Sequence, residues 1–140
     1  MDREAYFWQV MDGKLPAPKV AETLGIRFTS IDADAGTIEV EFDGREAFRN
    51  YVGNIQGGLL SAMLDDTMGP ALAATLAAGE AAVTASLNVQ FLSPARVGVI
   101  QGKGRVDKRG RDVCYLSAEL SQQGKIVAKA TAVAIVRRPG

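Results

Sequence analysis

Residues Asn50 to Ala78 read NYVGNIQGGLLSAMLDDTMGPALAATLAA, and the rest of the chain is organised around this stretch. Gly53, Gly57 and Gly58 form a glycine-rich turn that runs into an apolar segment. Leu59, Leu60, Ala62, Met63, Leu64, Met68, Ala71, Leu72 and Leu76 recur at helical spacings. The only charges inside are adjacent, Asp65 and Asp66. One helix over Gly57 to Ala78 would be roughly 33 Å long. It is apolar over most of its circumference, so other elements must wrap it. Pro70 lacks the amide that would bond the Asp66 carbonyl, which predicts a kink or break near Gly69-Pro70.

Bulk composition narrows the function. The 140 residues suggest one domain over 1–140, with 1–18 as an N-terminal helix and linker and 20–137 as the core. Sixteen basic and sixteen acidic residues cancel, which argues against nucleic acid or an anionic membrane as partner. No apolar segment is long enough to span a bilayer. The opening MDREAYFWQVMDG has no basic n-region ahead of an apolar one, so it does not read as a secretory signal, and a cytoplasmic location is expected. The chain has one cysteine and no histidine. Cys114 alternates with apolar neighbours and reads as a buried structural thiol. Ser-His-Asp, Cys-His and most zinc chemistry is excluded. Catalysis must use a carboxylate, a hydroxyl, a side-chain amide or a backbone N–H; no metal and no cofactor is expected.

Residues 2–12 have helical spacing, with Tyr6, Phe7, Val10 and Met11 on one stripe and Gly13 as the stop. Pro16 and Pro18 mark a linker, and Lys19 to Leu24 forms a short helix closed by Gly25. Ile26 to Asp32 reads as a strand with Ile26, Phe28 and Ser30 on one face. After a turn at Asp34 to Gly36, Ile38, Val40 and Phe42 face in from Thr37 to Phe42. Four strands follow the long helix in an expected meander: Ala82 to Leu92, Val97 to Asp107, Asp112 to Ser121 and Ile126 to Val136. Gly102 and Gly104 mark a bulge or a close backbone approach. Ile126 to Val136 is apolar on both faces, which suits a central strand. An antiparallel sheet of about six strands around one long helix is an α+β domain.

This order resembles the hotdog fold, and three segments resemble the PaaI-like acyl-CoA thioesterase family. They are Asn50-Tyr51-Val52-Gly53-Asn54-Ile55-Gln56-Gly57-Gly58, then Asp65, then Asn88-Val89-Gln90-Phe91-Leu92-Ser93-Pro94-Ala95-Arg96-Val97-Gly98. The similarity covers roughly residues 20 to 137. The family has His where this chain has Gln56. The resemblance implies hydrolysis of a medium-chain or aryl acyl-CoA thioester. It also implies that the residue at 56 holds the thioester carbonyl or positions the next amide. Gln keeps a donor but cannot become cationic.

The chemistry maps onto few residues. The Gly57 amide would lie at the helix start, where free N–H groups favour an oxyanion; the glycine pair also suits a simple tight turn. Pattern alone would leave both acids in solvent, since a lone buried carboxylate is costly. The resemblance selects Asp65 as base or nucleophile. Asp66 and Gly58 are assigned to substrate contact. Asn50 matches the family asparagine, which implies water or carbonyl positioning, and an Asx turn is the other reading. Thr84 falls where related enzymes carry a hydroxyl near the attacking water, or is an ordinary strand threonine. Lys108, Arg109 and Arg111 either meet the phosphates of coenzyme A or form a solvated hairpin tip.

Gly57 and Asp65 are eight residues apart on one helix, about 12 Å. They cannot both touch one thioester, so catalysis by both predicts a homodimer with sites at a two-fold interface. The resemblance extends this to a homotetramer built from two dimers. Two other readings compete: a non-catalytic acyl-CoA-binding protein, with Gln56 as a mark of lost hydrolysis, and a dehydratase on the same fold. The second needs a His base that the chain lacks.

Overall fold

The computed structural model describes residues 1–139. Its elements are α1 (Tyr6–Met11), α2 (Lys19–Leu24), β1 (Arg27–Asp32), β2 (Thr37–Gly44), a 3-10 turn (Glu46–Phe48), α3 (Gly57–Ala73), β3 (Ala81–Phe91), β4 (Gly98–Arg109), β5 (Val113–Gln122) and β6 (Lys125–Arg137). The strands form one six-stranded antiparallel sheet in the order β1-β2-β4-β5-β6-β3. α3 lies across its inner face, giving the α+β hotdog architecture. Leu60, Met63, Leu64, Met68, Ala71 and Leu72 of α3 are buried against Ile38, Val40, Phe42, Ile100, Cys114, Leu116 and Leu120 from the sheet. Those sheet residues alternate with exposed neighbours, as a one-sided buried face requires.

The close approach marked by Gly102 and Gly104 is real, and its partner is Thr67. A Cβ on Gly102 would stand 2.8 Å from Thr67 Oγ1, and one on Gly104 2.9 Å from the Thr67 carbonyl. Thr67 is fully buried and donates its hydroxyl to the Met63 carbonyl at 2.7 Å. Two glycines on one face of β4 thus form a track into which the helix settles. The register shift in β4 lies further on, between Val106 and Lys108.

Several details differ from the sequence-based expectations. The strands do not run as a four-strand meander: β3 crosses the sheet to pair with β6, and only β4, β5 and β6 are consecutive neighbours. The long helix ends at Ala73, not Ala78, and it continues through Pro70, which sits within its last turn. There, only one internal bond is lost. In β1, a bulge between Phe28 and Ser30 changes the facing side chains, so Phe28 and Ile31 pack on the core and Ser30 is exposed.

The first helix spans only Tyr6–Met11 and uses a different stripe from Tyr6, Phe7, Val10 and Met11. Phe7 and Trp8 are buried, whereas Tyr6 is 52% exposed. Trp8 Nε1 donates to the Ala74 carbonyl at 3.0 Å, and the Phe7 ring meets Trp8 and Phe28 edge-on at 5.1 and 5.7 Å. Asp2 adds an acceptor for the Ala78 amide at 2.8 Å. The N-terminal segment is therefore tied to the C-terminal end of α3. α2 ends as expected, with Gly25 in the left-handed region at φ 67°.

Candidate active site

The loop before α3 is built by Asn50. Its Oδ1 accepts from the amides of Val52, Gly53 and Asn54 at 3.1, 3.1 and 3.2 Å. This is the Asx-turn arrangement, and it commits that oxygen to the loop. The Ile55 amide donates to the Ala95 carbonyl at 2.8 Å and the Gln56 amide to Phe48 at 2.9 Å. Gln56 is the N-cap, with its carbonyl accepting from the Leu59 and Leu60 amides and its side chain exposed. Gly57 and Gly58 are the first two helical residues. Their amides have no acceptor among the described residues, as the geometry of a helix start dictates. Gly58 is exposed, whereas the Phe91 ring lies over Gly57, where a Cβ would meet Phe91 Cζ at 3.2 Å.

Asp65 and Asp66 leave the helix in different directions, about 100° apart. Thr84 Oγ1 on β3 donates to Asp65 Oδ1 at 2.8 Å. Thr84 therefore holds the Asp65 carboxylate by one oxygen and leaves the other accessible. Asp66 instead faces a cavity of about 500 Å³ lined by α1, the 15–21 segment, α3 and β3. Its Oδ2 is buried and receives no hydrogen bond from the described residues. Burial pushes the Asp66 carboxyl up from its ordinary 3.8 to about 6, and the Asp65 charge adds to the effect.

The structure thus brings Asp65 and Thr84 together, and Gly57 with Gly58 beside Gln56. Within one chain it keeps the two groups a helix segment of about 12 Å apart. The basic turn lies elsewhere. Arg109 donates to Thr75 Oγ1 at 3.0 Å and to the Gly110 carbonyl at 2.6 Å, and it faces Glu80 at 3.7 Å. Its guanidinium is occupied within the chain. Lys108 and Arg111 form no ion pair among the described residues. Sequence reading did not anticipate Phe91 as the cover of Gly57, because that contact joins residues far apart in the chain. No cluster of carboxylate and thiol ligands suited to a metal ion occurs among the described residues, and none of their helices is long and apolar enough to cross a membrane.

Comparison with known proteins agrees with this arrangement. The model of the Thioesterase superfamily matches residues 52–129, and the chain belongs to that family. It is a thioester hydrolase, with acyl-CoA thioesterase chemistry at the family level. A phenylacetic acid degradation-related protein from Ralstonia eutropha JMP134 superposes with a TM-score of 0.91 at 45% identity, over 93% of this chain and 98% of that one. The PaaI protein of E. coli, from the phenylacetic acid degradation operon, gives 0.81 at 25% identity, over 96% and 94%. Acyl-coenzyme A thioesterase 13 of Homo sapiens is 27% identical over 124 residues, 86% of this chain and 87% of that protein. These relationships do not favour a binding protein that has lost hydrolysis.

Proposed function

We propose that the protein hydrolyses a medium-chain or aryl acyl-CoA thioester at the interface of a two-fold dimer. Asp65 of one subunit and the Gly57 amide of the other would act on the same thioester. The observation that carries this is the pairing of α3 with β3. Asp65 meets Thr84 near one end of β3, and Gly57 meets Phe91 at the other. β3 is the sheet's outer strand, and Val83, Leu87 and Phe91 on it are 47%, 38% and 54% exposed. An open, apolar edge of this length is a ready template for pairing with a second copy. Antiparallel pairing of β3 with its copy about the Leu87–Asn88 midpoint sets Thr84 opposite Phe91 of the other chain. Asp65 then faces the other chain's helix start.

In that arrangement the Gly57 N–H donates to the thioester carbonyl oxygen as it becomes an oxyanion, supported by the helix dipole. The exposed Gln56 amide can donate to the same oxygen. Asp65 takes a proton from water as the water oxygen bonds to the carbonyl carbon. The C–S bond then breaks, and that proton goes to the departing thiolate. Direct attack by the carboxylate would use the same donors. Thr84 holds Asp65 in place. Asn50 acts through the loop that presents Gly57, in keeping with its three amide contacts. Lys108 and Arg111 are the candidates for the phosphates of the carrier. The relatives connected with phenylacetic acid degradation support the aryl alternative for the acyl group.

Free-thiol release from a panel of acyl-CoA thioesters, followed alongside the sedimentation mass, tests this reading. Hydrolysis by a dimer or a tetramer of dimers, lost in Asp65→Asn, is the expected result. An active preparation that is entirely monomeric would overturn the shared site.

A further inference from the structure

The cavity beside Asp66 has a composition that the hydrolytic step alone does not explain. At about 500 Å³ it is within the size range of small-ligand sites. Its walls are apolar: Phe7, Val10 and Met11 come from α1, Leu72 from α3 and Val83 from β3. Thr84 also lines it, and Thr84 is the residue that holds Asp65. The cavity therefore begins where the scissile bond would lie. Asp66 is the one charged side chain in its wall, with Oδ2 buried and lacking a protein donor.

We propose that this cavity receives the acyl group and that Asp66 selects acyl groups carrying a hydroxyl towards their far end. The proposal rests on the thioesterase reading above. An ionised carboxylate only accepts hydrogen bonds. A carboxylate set in an apolar wall is costly unless a donor reaches it. An unsubstituted chain would leave Oδ2 unpaired on binding, while a hydroxyl would satisfy it. Sites built in this way reject analogues that lack the hydroxyl much more strongly than apolar pockets discriminate by size. Tyr6 and Thr84 are the other side-chain hydroxyls in the wall. Tyr6 reaches the Pro16 carbonyl at 3.5 Å and Thr84 is engaged with Asp65, so Asp66 is the unmatched polar group.

The test compares octanoyl-CoA with ω-hydroxyoctanoyl-CoA, and phenylpropanoyl-CoA with its ring-hydroxylated analogue. The expected result is a kcat/KM ratio of about tenfold or more in favour of at least one hydroxylated partner. Asp66→Asn should shrink that ratio and Asp66→Leu should reverse it. Non-hydrolysable thioether analogues of the same four compounds, measured by calorimetry, report the same preference as a ratio of Kd values. Ratios near one in the native protein, or a ratio unmoved by both substitutions, would overturn the selection by Asp66 while leaving the thioesterase reading intact. Failure to hydrolyse any thioester would instead remove that reading, with the thioether affinities still scoring the selection.

Discussion

Thr84 on the outer strand donates its hydroxyl to Asp65 on the central helix at 2.8 Å. This bond fixes a carboxylate on the side of α3 that faces the open edge of the sheet. Removing the carboxylate should abolish hydrolysis. Asp65→Asn is expected to lower kcat by a factor on the order of 10² to 10⁴, with an unchanged melting temperature as the check on folding.

The hydroxyl of Thr84 can be tested by itself. A hydrogen bond to a charged group contributes about 1.5–3 kcal/mol, so Thr84→Val should lower kcat roughly tenfold or more. Thr84→Ser should restore most of it. Equal rates for the Val and Ser variants would show that the strand, not the hydroxyl, is what matters.

Leu87 lies beside the midpoint of the proposed strand pairing. Leu87→Lys would set like charges near each other across the two-fold, which disfavours pairing. The expected outcome is a halved mass by sedimentation together with lost hydrolysis. Full activity in a monomeric Leu87→Lys variant would contradict a shared site.

Asp66 gives stability a pH dependence with a defined sign. Its carboxyl titrates near 6 in the folded chain against an ordinary value of 3.8. Between these values the native state holds a proton that the unfolded chain releases, so stability should fall as pH rises through the window. Below it, both states are protonated and the penalty vanishes. Thermal melts from pH 4 to 7 should therefore show a slope that Asp66→Asn flattens.

The basic turn divides into two roles. Arg109→Ala should lower the melting temperature, because it removes the contacts to Thr75 and Glu80. Lys108→Ala with Arg111→Ala should raise KM for acyl-CoA substrates and leave thioesters of short thiols unaffected. A matching rise for both substrate types would remove the phosphate assignment.

Much of this was legible in the chain because local pattern and tertiary environment agree. Ile38, Val40 and Phe42 alternate and are all buried. The turn into Gly57 starts the central helix at the expected residue, and Gly102 and Gly104 announced the close approach. The failures are tertiary. β3 alternates in the same way whichever strand it joins, so nothing local could tell that it pairs with β6. Trp8 is buried because its indole reaches the Ala74 carbonyl, 66 positions away. Ser30 was turned outward by a bulge whose partner strand decides its place. The sequence left Asn50 between two readings, and its three amide contacts show the loop-building one. The adjacent acids diverge, yet only the surrounding walls reveal that Asp66 meets an apolar cavity.

The glycine track under Thr67 has a further consequence for how such a protein can change. Helix and sheet are locked together there at a separation that excludes even a methyl group; Gly104→Ala should cost about 1–3 kcal/mol. That flank cannot supply room for a larger guest. The room lies on the opposite side, where the wall is partly a short leading helix held by one indole and a few aromatic edges. Mutations can reshape that detachable wall without disturbing the seat that carries Asp65, which leaves chemistry constant while the guest drifts.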